Sequence, residues 1–410
     1  MMQGPESTND GTPICEATTL SEGGFADDTE ILTTTGPRVV TELKPGDQVI
    51  ALNPTTRVLK RKQITDIETI DPSFQCIHIQ TRRSDLLVNQ NHRIPYTTKS
   101  ISRPRFIHAG ELSDRENYHF LNDWQSRIGT DLPQVDITDL CTDYEINAEF
   151  DVHGHTVQSM LPDGCDPVRQ NSHTGYFFDP ATFDEYQNEL EALADRVRIH
   201  AGPNHWRRPY RFDGDDFIEF IGWFVTEGSV TWKSASDTAT IQLAQQTEKH
   251  RRTIAELFDR MNLSVKTTEE AFSFSSKLFG RLFERLCGTN SYSKRLPEFI
   301  WNCSPRQKRI LFETMMAGDG NDWGQYYTHS DQLAHDIIRL GLEIGLKPSS
   351  PRVSPWTIGF STLNDGFKYS KNVSETFVTG SMYQLAVEDF STVMAGRNGK
   401  FQWAGVSAVA

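Results

Sequence analysis

The sequence predicts an α+β multidomain chain: an all-β domain divided between the two ends, interrupted by a helical unit built on an internal repeat. Three observations predict it. Short β-branched runs separated by turn residues fill residues 24–125 (TEILTT, RVVTEL, DQVIALN, CIHIQT, DLLVNQ). Helical periodicity dominates residues 211–363, as at Ile254, Leu257, Phe258 and Met261 and again at Phe279, Leu282, Phe283 and Leu286. Residues 378–407 then return to β character.

Residues 1–23 form a polar flank with neither a basic start nor an apolar core, so no signal peptide is expected. No run of eighteen apolar residues occurs, and the expected setting is cytoplasmic and free of membrane. Six cysteines are scattered without a Cys-x-x-Cys pair and read as thiols rather than a zinc site. A net charge of −14 opposes nucleic-acid binding by the whole-molecule field. Arginine nevertheless outnumbers lysine 27 to 14, and an acidic, lysine-poor surface suits high salt, where local basic patches outweigh net charge.

Residues 126–210 read as a linker or accessory region. An acidic stretch (VDITDLCTDYEINAEFD) precedes a helix near 181–197. Residues 196–212 then carry Arg196, Arg198, Arg207, Arg208 and Arg211 with no acid between them, which suits phosphate contact.

The helical unit holds the sharpest signal. FIGWFVTEG ends on Glu227-Gly228, and FETMMAGDG ends on Asp319-Gly320. Glycine there is a helix stop. The carboxylates oppose the negative end of the helix dipole, a cost of about 0.3–1 kcal/mol. The same local rule broken twice in matching repeats marks a functional site. Small residues at Gly222, Ala317 and Gly318 allow the two backbones to approach closely. Two carboxylates brought together need a cation between them, and hard divalent ions such as Mg²⁺ take oxygen ligands. Glu227 and Asp319 are therefore the metal-binding candidates. For DNA contact, Thr240 and Gln242 alternate with apolar residues in TATIQLAQQ and present groups that read base edges. Lys277, Arg281 and Arg285 form a basic stripe at helical spacing.

The two acid-glycine segments resemble the LAGLIDADG motifs of double-motif (DOD-type) homing endonucleases. The resemblance covers residues 211–363. It implies an αββαββα repeat with pseudo-twofold symmetry, Mg²⁺-dependent hydrolysis of both strands of double-stranded DNA, and a β-saddle that reads a long site. Glu227 stands where aspartate is commoner. Intein-borne members carry a Lys-x-x-Pro segment before the second motif, which here is Lys294-Arg-Leu-Pro297, so Lys294 is carried over as a catalytic candidate. A monomer without small-molecule cofactor is expected.

The β-runs at the two ends resemble the Hint horseshoe of inteins. GFADDTEIL from Gly24, TELKPGDQV, LVNQNHR and the closing segments MYQLAVED and FQWAGVS carry this resemblance. It implies that His92 is the activating histidine, with Asn89 where threonine is usual. Splicing needs a thiol or hydroxyl on the first residue. Gly24 occupies that place, and Cys15 lies nine residues upstream. Ser391 stands at the closing histidine position. Val406 stands where a cyclising Asn or Gln belongs, ahead of Ser407. Asn398-Gly399 is cyclisation-prone but reads more simply as a hairpin turn. The expectation is a free-standing endonuclease that retains the Hint scaffold with impaired splicing. The rivals are an active autoprocessing protein and a non-catalytic DNA-binding regulator.

Overall fold

The computed structural model describes residues 23–70, 75–99, 103–142, 144–152, 154–171, 175–200, 209–233, 238–350, 355–362 and 365–409. Cys15, Arg207 and Arg208 lie outside the described residues.

The β-runs of both ends interleave in one sheet path. In order it runs Lys400–Gly405, Thr392–Arg397, Glu30–Thr33, Gln48–Asn53, Val58–Ile70, Met382–Glu388, Phe25–Ala26, Asp85–Asn89, Gln75–Gln80 and Val373–Phe377. The 13-residue strand Val58–Ile70 pairs first with Gln48–Asn53 and then with Met382–Glu388, so it spans both arms. Asn398 and Gly399 both take positive φ in the turn between Thr392–Arg397 and Lys400–Gly405, as an Asn-Gly hairpin requires.

The chain enters and leaves this frame along one strand edge. Phe25 pairs with Tyr383, and Ser407 pairs with Ala386 three residues further along. The other edge of the same strand is occupied by Val58–Ile70. The first and last segments are therefore brought end to end.

The inserted unit begins as an αββαββα repeat. Its elements are the helix Gly214–Glu227, strands Gly228–Lys233 and Thr238–Ala244, the helix Glu248–Arg260, strands Lys266–Thr267 and Ala271–Ser275, and the helix Lys277–Cys287. The second half is shorter than the resemblance implies. After the helix Pro305–Asp319, the expected first strand is reduced to one bridge between Gly320 and Tyr326. Only four residues separate Gly320 from the strand Gln325–Thr328, too few for a second paired strand. The helix Asp331–Glu343 and the strands Lys347–Ser349 and Trp356–Ser361 complete it. Ser349 pairs with Lys400, so the sheet of the second half continues into the horseshoe without a break.

Residues 126–210 are more than a linker. Strands Arg169–Asn171, Gly175–Phe178, Glu145–Glu149 and Arg196–His200 form an antiparallel sheet in that order, joined by helices Gly154–Met160 and Pro180–Leu193. The second helix stops at Leu193, short of the expected 197. Acids on the strand Glu145–Glu149 hide its β character, since Asp and Glu are poor strand formers.

One continuous core joins insertion and frame. Trp403 and Met394 of the horseshoe pack with the same buried cluster as Phe217, Phe220 and Leu340. Between them lies an ionic knot: fully buried Glu343 pairs with Lys308 at 2.6 Å and Arg339 at 3.0 Å, and Arg61 of the horseshoe approaches to 3.6 Å. Lys308 also donates to the Trp301 carbonyl at 2.9 Å.

Candidate functional site

The two acid helices pack against each other through small residues. A Cβ on Gly222 would lie 2.8 Å from Thr314 Cβ, and one on Gly318 would lie 2.4 Å from Thr226 Oγ1. Only glycine permits this approach. Asp213 caps the first helix and Ser304 the second, the latter as its sequence position predicts. The terminal glycines work differently from a left-handed helix stop. Gly228 (φ −88°) and Gly320 (φ −89°) are extended, and a Cβ would strike Phe224 O at 2.4 Å and Met316 O at 2.3 Å. Both chains turn sharply into their strands directly after the acids.

This packing brings Glu227 and Asp319 into electrostatic contact. Burial first, and then the charge of Glu227, raise the Asp319 carboxyl to about 7. Burial also raises Glu227, while Gln245 holds it by a 2.9 Å hydrogen bond from Nε2. The Tyr326 hydroxyl, fully buried, lies beside Asp319 and lowers its pKa slightly, although it is not aligned into a regular hydrogen bond. Gln245 and Tyr326 were not singled out in the sequence. Tyr326 follows the bridge at Gly320 by register alone, a signal that no local pattern carries.

Lys294 reaches the same place and is 4% exposed. Its Nζ donates to Phe224 O at 2.7 Å and Gly228 O at 2.8 Å, and it sits 3.9 Å from the Phe224 ring centroid. It thus satisfies the carbonyl end of the first acid helix. Burial lowers its pKa to about 8, partly countered by Cys287 and Asp319. A cavity of about 330 Å³ opens here, lined by Lys294, Asp319, Tyr327 and His329 among others. Among the described residues no group of three or more His, Cys, Asp or Glu side chains converges as a metal cage.

The four-stranded sheet of the first half presents a polar face beside the acids. Thr240 and Gln242 point outward while Ile241 and Leu243 are buried, as the alternation predicts. Register sets Ser229, Gln242 and Ser273 in one row and Thr231, Thr240 and Ser275 in the next. Exposed Lys233 and Lys266 extend this face and were not foreseen, because only the strand register reveals them. Lys277 and Arg281 lie half-buried on the helix Lys277–Cys287, and Arg285 donates to Leu140 O at 3.1 Å, so at Arg285 the stripe ties the helix to the accessory unit.

Within the arginine run, Arg196, Arg198 and Arg211 are among the described residues, and each lies beside an acid. Arg211 pairs with Asp136 at 2.9 Å and with Glu191 at 2.5 Å. Arg198 pairs with Glu149, and Arg196 lies 3.8 Å from it. The run contains no acid, but its acids arrive from neighbouring strands and the helix Pro180–Leu193. Arg198 and Arg211 are thus tied to acids of the fold.

At the horseshoe centre Gly24, Asn89, His92, Val406 and Ser407 are all among the described residues. Gly24 N donates to Asn89 Oδ1 at 3.1 Å, and Asn89 N donates to Gly24 O at 3.1 Å. A side chain on Gly24 would meet Met382 Cβ at 3.0 Å and Ile70 Cδ1 at 3.2 Å. His92 is 1% exposed with its ring edge-on to Phe25 at 4.5 Å, and neither ring nitrogen has a partner among the described residues. Burial drives its pKa down to about 3 and keeps it neutral. Val406 is buried and donates its N–H to Ser391 O at 2.9 Å, and Ser407 Oγ accepts from Gln384 at 3.2 Å.

No family model matches the chain. It is 30% identical to a DNA polymerase of Thermococcus hydrothermalis over 118 residues, which is 28% of this chain and 7% of that protein. It is 22% identical to a DNA polymerase of Thermococcus sp. (strain GE8) over 175 residues, 40% of this chain and 10% of that protein. The chain therefore spans a tenth or less of these relatives. Among solved structures it is similar to a bacterial intein-like domain from Clostridium thermocellum, with 26% identity over 24% of this chain and 66% of that one and a TM-score of 0.21. It is also similar to a DnaB intein from Synechocystis sp. PCC 6803, with 19% identity over 24% of this chain and 68% of that one and a TM-score of 0.20. Among the described residues no helix is long and apolar enough to cross a membrane. Each of these two likenesses to solved structures covers about a quarter of this chain.

Proposed function

We propose that this chain is a Mg²⁺-dependent double-strand DNA endonuclease of the LAGLIDADG type, seated in an intein-like frame that no longer splices. One observation carries the reading. Two carboxylates end two helices that touch through glycine, and burial, followed by the charge of Glu227, raises Asp319 to about 7. A fold gains nothing from two such charges unless a cation or a polyanion's counterion is to lie between them.

The donor set fits Mg²⁺. Two carboxylates, with no group of three or more His, Cys or acids converging among the described residues, suit an ion that keeps several waters and takes the rest of its ligands from phosphate. When bound, such an ion supplies an activated water and a counter-charge for the leaving oxygen. The chain's own groups do the positioning. Gln245 orients Glu227. Lys294, fixed by two carbonyls, holds its charge near Asp319 and the cavity, where it offsets negative charge on a bound phosphodiester. The hydroxyl and amide rows around Thr240 and Gln242 supply base-edge donors and acceptors.

For the frame, the absence of a side chain on Gly24 and of a cyclising amide at Val406 supports a scaffold role. The test is cleavage of a randomised DNA library with Mg²⁺ by wild type and by Asp319→Asn. Cuts that depend on Asp319 are expected. Binding without Asp319-dependent cuts overturns the nuclease reading in favour of a DNA-binding regulator, and fragments of the protein itself overturn the reading of a silent frame.

A further inference from the structure

Trp323 is 86% exposed, a large apolar surface left in water four residues beyond Asp319. Single exposed apolar residues are ordinary. This one differs in how firmly it is held. Asn321 Oδ1 accepts from Trp323 N at 3.0 Å and from Gln325 N at 3.0 Å. Asn321 Nδ2 donates to Gln325 Oε1 at 3.0 Å and to the Tyr327 hydroxyl at 2.9 Å. Asn321 N donates to Gln325 O at 2.9 Å, and Gly324 (φ +73°) donates back to Asn321 O at 3.0 Å. The bridge between Gly320 and Tyr326 closes the base of the turn. The backbone N–H groups of Asn321, Trp323, Gly324 and Gln325 are thus all committed within the turn.

The location gives the tip a partner. The turn leaves the second acid helix directly and returns into the strand Gln325–Thr328, whose Tyr327 lines the cavity beside Asp319. A duplex whose phosphodiester lies over Asp319 brings its base steps within reach of a side chain four residues away. A flat aromatic on a rigid tip loses little entropy on stacking, and every base offers a π-face.

We propose that Trp323 is a stacking wedge that enters a base step of double-stranded DNA next to the cut and unstacks it. The wedge opens the duplex at the acids and belongs to one half only, so it also fixes the orientation in which an asymmetric site is bound. Unstacked steps differ in cost, with pyrimidine–purine steps the cheapest, and this places a sequence preference at a position read without hydrogen bonds.

The inference rests on the endonuclease reading, and its test separates the two. The probe is the duplex recovered from the library cleavage experiment, with 2-aminopurine placed in turn at each base step flanking the cuts, mixed with protein in EDTA. Wild type is expected to raise the fluorescence of 2-aminopurine several-fold at one step on one side of the site. Trp323→Ala is expected to lose that rise and to cut about tenfold or more slowly. Trp323→Phe, which keeps a ring, is expected to retain most of both. An unchanged rise in Trp323→Ala, or no rise with wild type on a duplex that it cuts, overturns the wedge and leaves the nuclease standing. Failure to recover any Asp319-dependent site overturns both. Because the indole makes no buried packing, an unchanged melting temperature in Trp323→Ala is expected and certifies the comparison.

Discussion

The two centres of this molecule have met opposite fates. At the acid helices, costly polar groups are kept and supported: Gln245 holds Glu227, Lys294 is tied to two carbonyls, and glycines hold the backbones close. At the horseshoe centre, Gly24 and Val406 carry no thiol, hydroxyl or amide. His92 is buried, and neither of its ring nitrogens has a partner among the described residues. Buried polar groups persist against their cost where something selects for them. The difference lies in what each centre holds: the acid site spends stability on charge, whereas the horseshoe keeps the strand edge that gathers both ends.

The largest effect that tests this contrast is the loss of one acid. Asp319→Asn is expected to lower Mg²⁺-dependent cleavage by about a hundredfold or more, the scale of a single electrostatic group at a phosphoryl site. The same substitution removes a buried repulsion, so the melting temperature is expected to hold or rise. Nicking and calorimetry on one preparation check both. A variant that cuts normally breaks the comparison at its stronger side.

Next comes the helix contact. A valine at Gly318 would press on Thr226, where even a Cβ would be 2.4 Å from Oγ1. Overpacking costs about 1–3 kcal/mol. Gly318→Val is therefore expected to lower stability by about that amount and to abolish cutting by spreading the acids, while Thr226→Ala in the same chain restores part of both. Chemical denaturation and the nicking assay read the pair.

The acid pair was legible in the sequence because each helix breaks a local rule at the same place, and a local anomaly needs no tertiary knowledge. The Asn-Gly hairpin, the alternation at Thr240 and Gln242 and the cap at Ser304 were legible for the same reason. What the sequence hid is non-local. Arg198 and Arg211 read as free cations because the acids that neutralise them, Glu149, Asp136 and Glu191, lie in other elements. The accessory sheet was hidden by acids on its central strand. The shortened second half departs from the symmetric repeat because four residues between acid and strand cannot pair. Tyr326 enters the site only through that shortening.

A smaller effect follows from titration. Asp319 has a carboxyl held at about 7 in the fold against an ordinary 3.8 when unfolded. Below pH 4 both states are protonated and the group is neutral to stability. As pH rises from about 4 to about 7 the unfolded chain releases its proton while the fold retains it, so stability falls, and above about 7 the full cost is present. Thermal melts in EDTA are expected to decline across that window. Added Mg²⁺ is expected to recover the loss above pH 7, where the carboxylates are free to bind, and Asp319→Asn is expected to flatten the profile. A decline that survives in Asp319→Asn assigns it elsewhere.

The smallest effect tests the silent side of the comparison. His92 has two buried nitrogens without partners among the described residues, and burial drives its pKa to about 3, which keeps the ring neutral. Replacing a buried, unsatisfied polar group by an apolar one of similar shape is close to neutral or stabilising, whereas removal of a satisfied one costs about 1–3 kcal/mol. His92→Leu is therefore expected to leave the melting temperature unchanged or slightly higher, to leave DNA cutting untouched, and to leave the intact mass identical to that of wild type after long incubation with a thiol. A histidine still engaged in acyl chemistry behaves otherwise: wild type releases fragments and His92→Leu suppresses them. A loss of more than about 1 kcal/mol in His92→Leu would equally count against a lapsed centre, since it would mean that the imidazole nitrogens are satisfied in the folded protein and held there for a purpose.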